Sequence, residues 1–109
     1  NPERYSYKAF QLLRQMGHHA LPVSPRIQEL AGERVYHDLS SIDLKVDTLT
    51  MYVSSEISRG LLDAILNLKP RRVIFNPGTE SPDLAASLVA EGVEVLEACT
   101  LVLLKTGQF

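Results

Sequence analysis

The chain has 109 residues, 45% hydrophobic and 22% charged, with a net charge of -2. That length makes one domain with a core of its own, and a slightly acidic balance without a basic run excludes a non-specific nucleic-acid binder. No apolar stretch approaches the ~18 residues that span a bilayer, no charged-then-apolar signal segment stands at the start, and a single cysteine, Cys99, excludes an internal disulfide framework and predicts a reducing, cytoplasmic compartment.

Asn1, Pro2, Glu3 and Arg4 read as a polar loop. Residues 7–16 follow as a helix, because Ala9, Phe10, Leu12, Leu13 and Met16 recur at three- and four-residue spacing. Ser6 is its expected N-cap and Gly17 the left-handed residue past its end. Residues 19–23 predict a short strand that Ser24 and Pro25 stop. Residues 26–32 predict a turn of helix and a loop. Residues 47–53 predict the next strand, with Thr48, Tyr52 and Val53 favouring extended backbone. Residues 55–69 predict the longest helix, with one apolar stripe of Ile57, Leu61, Ala64, Ile65 and Leu68 that ends at Pro70.

The segment from Arg72 to Gly78 is the most informative. An apolar strand at residues 72–75 runs into the polar turn of Asn76, Pro77 and Gly78. A strand buried on both faces, with its following turn at a crevice, is how a doubly wound sheet builds a ligand site. Residues 82–91 then predict a helix, capped by Ser81 with Pro82 at its first position. Residues 94–96 and 101–104 predict two further strands. Arg71 and Arg72 read as a solvated strand start, and Glu91, Glu94 and Glu97 as surface positions.

Helices alternating with short apolar strands imply an α/β fold, a parallel sheet of Rossmann-like, doubly wound type with helices on both faces. Such a sheet normally opens on its central strand, whereas this chain opens on a polar loop and a helix. The expectation is one domain over residues 1–109 that lacks its first strand, which roughly ten preceding residues of the natural protein would supply.

Several segments in this order resemble the small stand-alone CoA-binding domain family, which shares its fold with the CoA-binding domain of succinyl-CoA synthetase. They are Asn1 to Ser6 after the first strand, and Pro22-Val23-Ser24-Pro25 in place of the family's Pro-Val-Asn-Pro. Further along come Gly32 to Tyr36 as its Gly-x-x-Val-Tyr, Val46-Asp47 at the third strand, Asn76-Pro77-Gly78, and Ala98 to Val102. The family's first strand and its small-residue turn are absent, and Ser24 replaces an Asn.

The resemblance implies coenzyme A or an acyl-CoA as ligand. It puts Arg4, Tyr5 and Ser6 beside the pyrophosphate, where a helix N-terminus offers free amides. It puts Tyr52, Val53 and Ser54 near the adenine and the pantetheine arm, and Asn76, Pro77 and Gly78 along that arm. At the end of the second strand an NAD site usually places a carboxylate for the ribose hydroxyls. Here stand Ser24, Pro25 and Arg26. A guanidinium suits a ribose phosphate, the 3′-phosphate of CoA or the 2′-phosphate of NADP. Each of these residues also has an ordinary structural role. Arg4 and Arg26 serve as solvated loop charges, Ser6 and Ser54 as caps, Tyr52 as a strand aromatic and Gly78 as a turn residue.

No carboxylate pair, metal-ligand spacing or activated nucleophile stands out. Cys99 has no basic neighbour to lower its pKa, and adjacent His18 and His19 on a strand would point to opposite faces. The expected function is reversible binding of a small nucleotide ligand, with no nucleic-acid or membrane partner and no catalytic group. The alternatives are an NADP-using oxidoreductase module and a regulatory or interaction protein with a vestigial pocket.

Overall fold

Three parallel strands form the centre of the molecule: β3 (Thr48–Met51), β4 (Arg72–Phe75) and β5 (Glu94–Glu97), in the order β3-β4-β5. They pair in register, so that Thr50 lies beside Ile74 and Ile74 beside Leu96. The computed structural model describes residues 2–109, with side chains from Tyr5 onward. Among the described residues five α-helices accompany the sheet: α1 (Pro2–Gln15), α2 (Ser55–Ser58), α3 (Leu62–Leu68), α4 (Pro82–Ala90) and α5 (Thr100–Lys105). A small antiparallel pair, β1 (Glu29–Leu30) and β2 (Glu33–Arg34), stands apart from the sheet.

β4 is covered on both faces, which its apolar run Val73–Phe75 requires. Val73 and Phe75 face one way and join Met51, Ile65, Leu84 and Leu88 in the main core. Ile74, fully buried, alternates to the opposite face. α1 and α5 pack on each other, contributing the buried Ala9, Phe10, Leu13 and Leu104. The architecture is mixed α/β with a three-stranded parallel sheet, of Rossmann-like type.

The expected strand at 72–75 and helix at 82–91 are both present, the latter ending one residue earlier. Gly17 and Gly92 hold the left-handed backbone past their helices, at φ 85° and 87°. The strand expected at 47–53 is trimmed to Thr48–Met51. Ser81 sits at the N-cap position without a side-chain capping bond. Arg71 is exposed as expected, but Arg72 is only 7% exposed. Its Nε donates to Thr48 Oγ1 at 3.0 Å and its guanidinium lies 4.7 Å from the Phe109 ring centroid. An Arg at a strand start reaches along its neighbours, and the stem buries readily when the head finds a hydroxyl and a ring.

Other expectations are corrected. The first helix begins at Pro2, not at residue 7. Pro suits the first helical position, so Pro2 to Arg4 are helical and not a loop, and Ser6 lies inside the helix instead of capping it. Residues 19–23 form no strand. Val23 makes one isolated parallel bridge to Tyr36, supported by Tyr36 N–H to Pro22 C=O at 2.8 Å and Ser24 N–H to Tyr36 C=O at 2.9 Å. Residues 26–32 hold no helical turn. They lead into a hairpin whose two turn residues, Ala31 and Gly32, both have positive φ, 50° and 81°, the backbone that a two-residue hairpin loop needs.

The helix expected at 55–69 is divided by a 3₁₀ turn, Arg59–Leu61, between α2 and α3. Gly60 lies in that turn, where its backbone freedom weakens a continuous helix. Ile57, assigned to the apolar stripe, is 56% exposed as a result. Residues 101–104 are helical, not extended. Leu104 is buried while Val102 is exposed, which is the helical periodicity of a run too short to reveal it in sequence.

Candidate functional site

The C-terminal ends of β3, β4 and β5 lie together, the edge at which parallel α/β sheets take ligands. What the strands present there is a hydrogen-bonded polar cluster. Asn76, immediately after β4 and 2% exposed, donates through Nδ2 to Thr50 Oγ1 at 2.8 Å and to the Met51 carbonyl at 2.8 Å. Its Oδ1 accepts the Thr100 N–H at 2.8 Å. One amide therefore ties the end of β3, the end of β4 and the start of α5. The Thr50 and Thr100 hydroxyls stand 2.7 Å apart. The Asn76 carbonyl accepts the Thr79 N–H at 3.0 Å and its hydroxyl at 2.8 Å, which shapes the Asn76–Gly78 turn. Gly78 has φ 89°, and its N–H donates to Glu80 Oε1 at 3.0 Å.

Tyr52, the first residue past β3, is half-buried, and its hydroxyl is sealed from solvent with no hydrogen-bond partner. Burial pushes its pKa up, and the nearby Cys99 acts in the same direction. The Thr100 and Thr50 hydroxyls oppose the shift without reaching bonding geometry. The phenol is thus protonated at neutral pH. Val53 packs on the main core. Ser54 caps α2, its Oγ accepting the Ile57 N–H at 3.5 Å.

The remaining expected site residues lie on other segments. Tyr5, on the early turns of α1, is 54% exposed with Lys8 Nζ 5.7 Å from its ring centroid. Ser6 is half-buried on the same helix. The Arg4 side chain lies outside the described residues. Ser24, Pro25 and Arg26 belong to the segment bridged by Val23 and Tyr36, and Ser24 Oγ accepts the Arg26 N–H at 3.2 Å. Pro25, Arg26, Pro77 and Gly78 are exposed. The structure therefore brings Tyr52 and Asn76 into one cluster, and leaves Ser24, Pro25 and Arg26 on a segment that shares no strand pairing with the sheet among the described residues.

Sequence reasoning missed Thr50, Thr79 and Thr100. Thr50 in a strand is explained by β-propensity, and Thr79 and Thr100 stand outside the strands, so only the buried Asn76, a polar residue directly after an apolar strand, signals them. Two surface clefts lie elsewhere. One of 260 Å³ is lined by Arg14, His18, His19 and Glu33, and one of 240 Å³ lies between α1 and α5 beside Lys8 and Lys105. Among the described residues no group of three His, Cys, Asp or Glu is placed to hold a metal ion, and no helix is long and apolar enough to cross a membrane.

Comparison with known proteins places this geometry in context. A family model described as a CoA binding domain matches residues 1–105. A crystal structure of an uncharacterized protein, 39% identical, superposes with a TM-score of 0.92 over 98% of this chain and 88% of its own. A protein from Thermus thermophilus, 29% identical, gives a TM-score of 0.88 over 100% of this chain and 83% of its own. A hypothetical protein from Pyrococcus horikoshii OT3 shares the fold at 18% identity, with a TM-score of 0.86 over 94% of this chain and 72% of its own.

Proposed function

The chain belongs to the CoA-binding domain family, and on that premise we propose that it reversibly binds coenzyme A or an acyl-CoA as a stand-alone module. The family match over residues 1–105 is the observation that carries this reading. The convergence of the loops after β3 and β4 at the C-terminal sheet edge supports it, since nucleotides bind at that edge in parallel sheets. In this reading Tyr52, Val53 and Ser54 line one side of the ligand, and Asn76, Pro77 and Gly78 the other. Asn76 acts by fixing the turn, because its amide is already engaged. Arg4, Tyr5 and Ser6 serve the pyrophosphate at the start of α1. Ser24, Pro25 and Arg26 take the 3′-phosphate end, with Arg26 as the positive group. The single cysteine fits a cytoplasmic setting.

We further infer that the outer edge of β3 receives one more parallel strand. β3 pairs only with β4 among the described residues, and a parallel edge left open is a row of unpaired amides. The two more similar solved structures both extend beyond the matched region. A strand seated there would join β3 to the Val23 segment and bring Arg26 toward the crevice.

Calorimetric titration with CoA, 3′-dephospho-CoA and NADP tests the function. The expected result is CoA binding that weakens by at least about tenfold, roughly 1.4 kcal/mol, without the 3′-phosphate. Binding of NADP in preference to CoA moves the assignment to an oxidoreductase module. Binding of none leaves a regulatory protein that kept the fold without the ligand.

A further inference from the structure

The polar cluster has a direction. The Asn76 amide is fixed at both ends, because Oδ1 accepts the Thr100 N–H and Nδ2 donates to the Met51 carbonyl. Its second Nδ2 proton must go to Thr50 Oγ1. Thr50 is therefore an acceptor from Asn76, and its hydroxyl shares a further hydrogen bond with Thr100 Oγ1, 2.7 Å away, in which either oxygen can donate. Tyr52 feels both threonine hydroxyls, yet its own hydroxyl makes no hydrogen bond to either. The Tyr52 O–H is thus a donor buried without a partner, on the first residue past the C-terminal end of β3.

Resting on the CoA reading above, we propose that the Tyr52 hydroxyl is a donor reserved for a neutral carbonyl of the ligand's flexible arm, an amide or an acyl thioester. An anionic group is not required, since the phenol stays protonated and the cluster carries no formal charge. Turning the ring outward about its Cα–Cβ bond breaks no hydrogen bond of the hydroxyl, so the unliganded position holds the donor without competing for it. A ligand carbonyl supplies the acceptor that the fold withholds.

The test compares the wild type with Tyr52→Phe, which removes only the hydroxyl, against two probes. Coenzyme A carries the arm with its carbonyls; adenosine 3′,5′-bisphosphate carries the phosphorylated nucleoside end alone. The expected result is CoA binding weakened about three- to tenfold, bisphosphate binding unchanged, and a melting temperature of the free variant equal to or above that of the wild type. The last readout separates a waiting donor from a structural one, since loss of a satisfied hydroxyl lowers stability. Unchanged CoA binding by the variant, an equal loss for both probes, or a lowered melting temperature overturns the inference alone. If the wild type binds neither probe, the CoA reading falls and the inference with it.

Discussion

Asn76 and Thr100 are 24 positions apart and joined by a 2.8 Å bond from the Thr100 N–H to the Asn76 side-chain oxygen. That bond fixes which way the amide faces, and with it the role of Thr50 Oγ1 as acceptor from Asn76 Nδ2. A polar cluster in a buried setting stabilises only when each member is satisfied. Asn76→Ala strands the Thr100 N–H and the Met51 carbonyl. The expected loss of stability is about 2–3 kcal/mol, read by urea denaturation. A loss below about 0.5 kcal/mol contradicts the assignment of these bonds.

The acid limit of stability should carry a contribution from Asp47. Hydrogen bonds from Arg71, at 2.9 and 3.1 Å, and from Thr48 lower its pKa to about 2. A carboxylate with a depressed folded pKa stabilises above its unfolded value near ~3.9, and that contribution fades as pH falls toward 2. The pair is well exposed, so solvent screening limits it to at most about 1 kcal/mol. Asp47→Asn should flatten the stability profile between about pH 4 and 2 and change little in slope above pH 5. An unchanged acid profile contradicts the ion pair.

The hairpin turn offers a stabilising change. Ala31 has φ 50°, a backbone that a side chain with Cβ adopts at a cost. Ala31→Gly should raise stability by about 0.5 kcal/mol, the relief of strain exceeding the entropy that glycine adds to the unfolded chain. Thermal unfolding checks the sign. A lowered midpoint means that the turn is not the two-residue form described.

The edge of β3 that pairs with no strand among the described residues makes a prediction about exchange. In the 109-residue chain the outward amides of Thr48–Met51 should lose protons to deuterium far faster than those of Arg72–Phe75, whose strand is paired on both sides. In a form extended at its N-terminus the same β3 amides should become protected. Protection that does not change on extension contradicts a strand at that edge.

The buried strand Arg72–Phe75 and the turn after it were legible because a continuous apolar run followed by Asn-Pro-Gly has few other readings. The run Leu101–Leu104 was not, since four apolar residues carry no period, and its helix packs against α1 from far away in the sequence. The hairpin escaped notice because Ala31-Gly32 lacks the Asn-Gly signal. For the site, Tyr52 and Asn76 were named from their place after strands. Their connection through Thr50 and Thr100 was not visible, because those residues are 50 positions apart and each has an ordinary local explanation. Arg72 shows the same limit: its charge suggested solvent, and its burial depends on Thr48 and Phe109 arriving from distant segments.

The most direct test of the account is an amide NMR titration of the protein with coenzyme A. The account predicts shifts concentrated at the amides of Ser24 and Arg26, of residues 52–54, and of Asn76 and Gly78. Shifts confined to the cleft beside Arg14 and Glu33, or to the groove between α1 and α5, would contradict it, as would a spectrum that CoA leaves unchanged.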